Sequence, residues 1–212
     1  MEKSIQASFF LVVISMVLSV YLYPQMPDRM ASHWNISGEA DGYSAKALAM
    51  FLMPAISLIL LGFFMLIPSI DPLKGNIKEF RKYYDGFVLV LTAFLFYLHL
   101  LTIAWNLGYA FSMSSALSPA FGVLFYYTGV LIGKTKRNWF IGIRTPWTLS
   151  SDVVWERTHK IGGRLFSACG IIALLGLFFP EYAIALVIVP VMAVAVYTVI
   201  YSYSEYRKTV KE

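Results

Sequence analysis

The sequence has too few charged residues for a soluble protein of its size. Asp, Glu, Lys and Arg make up 14% of the 212 residues and hydrophobic residues make up 58%. An average soluble domain is roughly 25% charged. So few charges could not cover a core of so many apolar side chains in water. This imbalance excludes an ordinary soluble enzyme and indicates that most of the chain faces lipid.

Cysteine and histidine are also scarce. The single cysteine, Cys169, excludes an intramolecular disulfide framework, and with only three scattered histidines it excludes a Cys/His zinc finger. No long apolar run contains paired carboxylates, and no catalytic triad can be assembled from His33, His99 and His159, which are expected at three different depths. We therefore expect a protein that is not an enzyme, uses no cofactor and binds no metal ion.

Six apolar runs free of Asp, Glu, Lys and Arg have about the length needed to cross a bilayer. Bridging ~30 Å of hydrocarbon takes about 20 helical residues. The predicted spans are residues 5–23, 48–67, 86–107, 113–132, 162–179 and 182–201. In the fifth span the uncharged run begins at Leu165, and we extend it to residue 162 with Arg164 reaching to the interface. The expected fold is all-α, a six-helix transmembrane bundle forming a single membrane domain over residues 1–212.

The basic residues predict how this bundle is oriented. Cytoplasmic loops of membrane proteins carry an excess of Lys and Arg. Of the 17 basic residues, 15 fall in the N-terminus, the second loop, the fourth loop and the C-terminal tail, including Lys211. Only Arg29 and Lys46 fall on the opposite side. Both termini are therefore expected in the cytoplasm, as an even number of spans requires, and direct binding of nucleic acid is not needed to explain the net charge of +5.

The first loop, residues 24–47, is the long extracellular connection. Pro24 and Pro27 end the first helix, and Asn35, Gly38 and Gly42 suit turns that need positive φ. The pattern predicts a short strand or a hairpin folded back on the bundle. It is either an ordered cap or a binding surface for something outside. The spacing of its His, Asp and Glu residues matches no known metal-ligand pattern.

The other long connection is the cytoplasmic loop, residues 133–164. Gly129 and Gly133 are too close for a phosphate-binding loop, and their spacing instead favours close packing of two helices. Ser150 or Ser151 can cap an amphipathic helix that leads into the fifth span through a hinge at Gly162–Gly163. This helix either lies at the membrane interface or docks a cytoplasmic protein. In the second loop, Asn76 and Glu79 have the spacing of a capping box.

His99 is the one histidine expected deep in the membrane. A polar residue at that depth is a candidate for moving protons or ions. More often a lone histidine is neutral and hydrogen-bonded between helices. A proton-coupled or small-solute transporter or channel is therefore the alternative function that this residue leaves open.

Two segments resemble known families. The outer loop, with His33-Trp34-Asn35 followed by Gly38 and Asp41-Gly42-Tyr43, is similar to the signature of a bacterial and archaeal membrane domain of unknown function. The inner segment Asn138-Trp139-Phe140-Ile141-Gly142-Ile143-Arg144-Thr145-Pro146-Trp147-Thr148-Leu149, with Trp155, Thr158 and His159, closely resembles the hallmark of the SdpI family of immunity proteins.

The resemblance implies a multi-pass membrane protein that protects its producer from a secreted peptide toxin. It further implies that toxin bound outside makes the protein hold a transcriptional repressor at its cytoplasmic face. The expected partners are membrane lipids, that toxin and that repressor. The implied toxin-binding residues are His33, Trp34, Asn35, Gly38, Asp41 and Gly42. The implied repressor-binding residues are Asn138, Gly142, Arg144, Thr145, Pro146, Trp147, Thr148, Trp155 and His159.

Overall fold

Six helices of the computed structural model, which describes residues 2–35 and 37–209, are long and apolar enough to cross a membrane. Two short α-helices, a two-stranded hairpin and three one-turn 3-10 helices complete the elements of the described residues, and Lys211 lies outside those residues. The expected all-α six-helix bundle is confirmed. The long helices are α1 (Glu2–Leu22), α2 (Lys46–Ile70), α4 (Arg81–Asn106), α5 (Met113–Ile132), α7 (Asp152–Leu174) and α8 (Ala183–Thr209). The hairpin strands are β1 (Arg29–Trp34) and β2 (Ala40–Ala45), and the short helices are α3 (Lys74–Glu79) and α6 (Pro146–Ser150).

Helix α7 continues without a break through Gly162 and Gly163, so the expected hinge is not there. The amphipathic segment and the fifth apolar run form one helix that begins after Ser151, whose hydroxyl accepts a hydrogen bond from the Val154 amide. A one-turn 3-10 helix, Leu175–Leu177, follows it. Both glycines are buried. Packing against neighbouring helices explains why they do not break α7, because a missing side chain lets another helix approach closely.

Helices α5 and α7 pack closely, as the spacing of Gly129 and Gly133 predicts. A Cβ atom added to Gly163 would lie 2.7 Å from the Cα atom of Gly133 and 2.8 Å from the carbonyl oxygen of Gly129. One added to Gly170 would collide with the backbone of Tyr126. Backbone therefore meets backbone along this interface, and the two helices form a closely fitted pair.

The inner end of the first half of the bundle is joined to the long inner loop by polar contacts. Asn76 lies inside α3, and its side-chain amide donates a 2.7 Å hydrogen bond to the carbonyl oxygen of Arg137. The expected capping box is therefore wrong, because Leu73 occupies the N-cap position and Asn76 bonds a distant carbonyl instead. Asp71 is 1% exposed and accepts hydrogen bonds from the amides of Leu73 and Trp139.

Candidate functional site

The first loop folds into the expected hairpin. Strands β1 and β2 are antiparallel and pair Arg29 with Ala45 and Trp34 with Ala40, with a register shift near His33. The turn is closed by backbone hydrogen bonds from Asn35 to Glu39 and from Gly38 to Asn35. Gly38 has φ +81°, a conformation that favours glycine. The hairpin therefore has a defined shape, set by local turn chemistry.

Contacts with α4 and with the start of α5 hold the hairpin against the bundle. The Asn106 side chain accepts a 2.8 Å hydrogen bond from the Ala31 amide and donates one of 3.0 Å to the Ala31 carbonyl. The Trp34 ring packs edge to face on Trp105, with centroids 5.9 Å apart. The turn itself reaches α5, since a Cβ atom added to Gly38 would lie 3.1 Å from the Ser112 hydroxyl.

The six residues implied in toxin binding all lie on this hairpin. His33 Nδ1 is 2.5 Å from Asp41 Oδ1, and both side chains are largely exposed. Gly42 lies opposite, where a Cβ atom would come within 2.8 Å of the His33 Cβ. The Asn35 side chain bonds both the amide and the carboxylate of Glu39 across the turn. These residues lie together on the hairpin, and the His33–Asp41 contact is on its exposed side.

A cavity of about 300 Å³ lies beneath the hairpin. Its walls are mainly apolar side chains of α4, α5 and α8, and Ser32 to Asn35 of the hairpin line its outer side. The indole nitrogen of Trp34 is buried and has no hydrogen-bond partner in the described part of the chain. The outer end of the bundle therefore combines an apolar recess with an unused hydrogen-bond donor.

At the inner end, Asn138 organises the loop before α6. Its Nδ2 donates to the carbonyls of Lys136 and Ile141, and its Oδ1 accepts from the amides of Phe140 and Ile141. The side chain is completely buried. Since both ends of the amide are used within the loop, Asn138 fixes the loop's shape.

Helix α6 is capped by Thr145 and docked on α8. The Thr145 hydroxyl accepts from the Thr148 amide, and the Thr148 hydroxyl accepts from the Thr145 amide, which makes a reciprocal capping box. The Thr145 hydroxyl also lies 3.0 Å from that of Ser202. The ring of Trp147 packs against Tyr203 with centroids 4.9 Å apart. Pro146 occupies the first turn of α6, where its missing amide proton costs nothing.

His159 and Trp155 attach the same loop to α7. His159 Nε2 accepts a 2.9 Å hydrogen bond from the Ile143 amide, and Nδ1 lies 2.8 Å from the Trp155 carbonyl. An amide can only donate and a carbonyl can only accept, so this histidine is neutral with its proton on Nδ1. The two rings stack at 3.9 Å. Gly142, at φ +118°, passes so close to His159 Nε2 that a side chain there would collide.

The nine residues implied in repressor binding thus divide into two groups. Asn138, Thr145, Thr148, Trp155 and His159 are buried and bond to the chain itself. Arg144 and Pro146 are exposed, while Gly142 and Trp147 are half-buried. The Arg144 guanidinium donates to the carbonyl of Trp139, whose own side chain is 51% exposed. The accessible surface of this motif is therefore Trp139, Arg144, Pro146 and the exposed part of Trp147, which we call the inner face.

His99 is buried between helices. It is 1% exposed, its Nε2 is 2.9 Å from the Ser19 hydroxyl of α1, and that hydroxyl lies 2.7 Å from the carbonyl oxygen of Met50 in α2. His99 does not line the cavity beneath the hairpin. These contacts favour a hydrogen-bonded link between three helices. The transport alternative stays a prediction.

Sequence reasoning missed three polar residues that hold the ends of the bundle. Asp71 joins the end of α2 to the inner loop, and Asn106 joins α4 to the hairpin. Glu205, 5% exposed, accepts hydrogen bonds from Arg157 and Lys208. Each is a polar residue at or near a helix end, where interface exposure is the ordinary expectation. Their distant partners could not be identified from spacing. Among the described residues, no group of three His, Cys, Asp or Glu could hold a metal ion.

Comparison with known proteins finds two family matches. The SdpI/YfhL protein family matches residues 134–202, which contain the inner loop, α7 and most of α8. A domain of unknown function, DUF1648, matches residues 10–58, which contain the hairpin. The chain is 31% identical over 210 residues to the immunity protein SdpI of Bacillus subtilis (strain 168), covering 98% of each chain. No solved structure matches it.

Proposed function

Since the chain belongs to the SdpI/YfhL family, we propose that it is a membrane immunity protein that neutralises a secreted peptide toxin at its hairpin end. We also propose that it signals to a transcriptional repressor at its inner face. The observation that carries this proposal is the 31% identity to an immunity protein over 98% of both chains. A likeness of that extent includes both the hairpin and the inner loop, so it applies to both ends of the bundle.

The hairpin end has the features that binding a peptide requires. The hairpin is held in one position by Asn106, so its exposed residues are already ordered before a ligand arrives. Preorganised binding surfaces lose less conformational entropy when a partner binds. The exposed His33–Asp41 pair and the recess beneath Trp34 offer polar and apolar contacts side by side.

The α5–α7 pair offers a physical connection from this end to the other. The hairpin turn touches the start of α5 near Ser112, and α5 packs on α7 along its glycines. Helix α7 in turn holds the inner loop through Trp155 and His159. A toxin that binds one arrangement of the hairpin more tightly would thereby bias the inner face. Because α5 and α7 fit backbone to backbone, a shift at the turn moves the pair together.

The inner face would hold the repressor through aromatic and basic contacts. Tryptophan and arginine dominate the energy of many protein interfaces, and both are exposed here as Trp139 and Arg144. The buried members of the motif keep these side chains in place. Sequestration would therefore depend on a small exposed patch supported by a rigid loop.

A survival assay tests the proposal. A sensitive host expressing the protein is challenged with a panel of secreted peptide toxins, beside a host carrying the empty vector. We expect the protein to raise the lethal dose of at least one peptide. A Trp34→Ala, Asp41→Ala variant should lose that protection, whereas Ser37→Ala, on the exposed turn, should keep it. Equal killing of both hosts by every peptide, with the protein inserted normally, would contradict immunity.

A further inference from the structure

The cavity beneath the hairpin has the size and lining of a binding site. Its volume of about 300 Å³ falls at the lower end of ligand pockets and would accept one large apolar side chain or two small ones. Leu98 of α4, Leu117 and Phe121 of α5 and Ile188 of α8 form its walls. The pocket is open on one side, where Ile188 is 53% exposed. A ligand could therefore enter from the surface of the bilayer at the hairpin end of the bundle.

Trp34 lines the outer side of this recess and carries a buried polar group without a partner among the described residues. The indole N–H of a buried tryptophan usually finds an acceptor. Here the nitrogen is buried and unpartnered among the described residues, although its ring is fixed by Trp105. A ligand carbonyl or hydroxyl would supply the missing acceptor. The apolar tail of a lipid chain would not.

The charges of the connections at the hairpin end favour a positively charged ligand. The outer connections contain four carboxylates, Asp28, Glu39, Asp41 and Glu181, against Arg29 and Lys46. Asp41 pairs with His33, and Asp28 lies 3.4 Å from Lys46. Glu39 and Glu181 form no ion pair within the described residues. Glu39 bonds Asn35, which lines the cavity, and Glu181 lies close in sequence to Ala183 and Ile184, which line it as well.

We propose that this cavity is the docking site for a cationic amphipathic peptide, an inference that rests on the proposed function and names the chemistry of its ligand. An apolar side chain of the peptide fills the recess between Leu117 and Ile188. A peptide carbonyl accepts a hydrogen bond from the Trp34 indole. Lysine or arginine side chains of the peptide lie near Glu39 and Glu181. An anionic lipid fits less well, because its phosphate would meet the same carboxylates.

Binding of a defined probe tests this site. The full-length protein is placed in nanodiscs of zwitterionic phosphatidylcholine. A fluorescent synthetic helix of Leu and Lys, about 18 residues or five helical turns long, is then titrated against protein-containing and empty discs. A second peptide carries Glu in place of every Lys. We expect saturable binding of the Lys peptide to the protein, at least tenfold tighter than binding of the Glu peptide.

Adjacent residues on α8 provide a matched pair of variants. Ile188 lines the cavity and is 53% exposed, whereas Val189 is 63% exposed and does not line it. We expect Ile188→Trp to fill the recess and weaken binding about tenfold, and Val189→Trp to leave binding unchanged. Leu117→Trp should act like Ile188→Trp from the opposite wall. The charge variant Glu39→Gln, Glu181→Gln should weaken the Lys peptide and not the Glu peptide.

Trp34→Phe isolates the hydrogen bond, because it keeps most of the apolar ring and removes the donor. We expect weaker peptide binding with unchanged thermal unfolding of the free protein, since the donor has no partner there to lose. Equal binding to the parent and both cavity-filling variants would overturn the site. So would a lipid that co-purifies with the parent, is lost from Leu117→Trp and blocks the peptide.

The inference and the proposed function can fail separately. Cavity-dependent binding without protection in the survival assay would keep the site and contradict immunity. Protection that survives Leu117→Trp and Ile188→Trp would keep immunity and remove this cavity from it.

Discussion

Asn106 holds the outer hairpin to the bundle through both hydrogen-bonding groups of a single residue, Ala31. Its oxygen accepts from the Ala31 amide at 2.8 Å, and its nitrogen donates to the Ala31 carbonyl at 3.0 Å. Ala31 is fully buried, so water cannot replace either bond. This contact makes the position of the hairpin a property of helix α4.

Asn106→Ala should therefore loosen the hairpin. It leaves two buried backbone groups without these bonds, at a cost of about 1–3 kcal/mol for each unsatisfied group. We expect faster hydrogen exchange over residues 29–45 and unchanged exchange in α5 and α7. Thr102→Ala is the control, since it removes only a hydroxyl that donates to the Leu98 carbonyl of the same helix. Identical exchange in both variants would show that Asn106 does not hold the hairpin.

Gly163 and Gly133 should respond differently to the same substitution. A Cβ atom on Gly163 would lie 2.7 Å from backbone atoms of Gly133, which cannot rotate away. A Cβ atom on Gly133 would find its nearest neighbour at 3.4 Å, an ordinary contact. Gly163→Ala should thus destabilise the protein by about 1–3 kcal/mol through overpacking, and Gly133→Ala should not. Thermal unfolding in detergent measures both, and equal Tm values for the two variants would contradict the close packing of α5 on α7.

Gly142→Ala should make the inner loop more mobile and more accessible to protease. The new methyl group would collide with His159 Nε2, and φ +118° would strain any residue other than glycine by about 1–3 kcal/mol. Trypsin added to inside-out vesicles should then cleave after Arg144 faster than in the parent. Gly75→Ala, where no atom lies within 4 Å of the added carbon, is the control. If cleavage is unchanged, the close contact of Gly142 with His159 is not what orders the loop.

The predicted orientation can be measured with single cysteines. Cys169 is the one natural cysteine and is buried in α7. In a Cys169→Ala background, Ser37→Cys places a thiol on the exposed hairpin turn and Ser150→Cys places one at the end of α6. A membrane-impermeant maleimide should label only Ser37→Cys on intact cells. Both should react once the cells are opened. Labelling of Ser150→Cys alone on intact cells would show that the orientation is the opposite of the predicted one.

The elements that follow local rules could be predicted from the sequence. The six apolar runs form the six long helices, and the first loop, with its prolines and glycines, forms the hairpin. Ser151 caps α7, as its position predicts. The spacing of Gly129 and Gly133 predicts a close helix contact, because small residues at that spacing allow two membrane helices to pack closely. Each of these depends on residues that are neighbours along the chain.

Features that depend on distant partners could not be predicted. Gly162–Gly163 has the local character of a hinge, but contact with α5 keeps α7 continuous. Asn76 and Glu79 have the spacing of a capping box, yet the Arg137 carbonyl, 61 residues away, engages Asn76 instead. The motif around Asn138 could be identified from the sequence, but its division into buried supports and an exposed patch depends on contacts with α7 and α8.

The central claim is that toxin binds at the hairpin and a repressor binds at the inner face. The most direct test compares protection and signalling in one host. Three proteins are expressed at equal levels: the parent, the outer variant Trp34→Ala, Asp41→Ala, and the inner variant Arg144→Ala, Pro146→Ala. Survival under toxin and toxin-dependent recovery of cytoplasmic proteins with the purified membrane protein are measured together. The account predicts that the outer variant loses both, and that the inner variant keeps survival and loses recovery. Survival of the outer variant at the parent's level would contradict it.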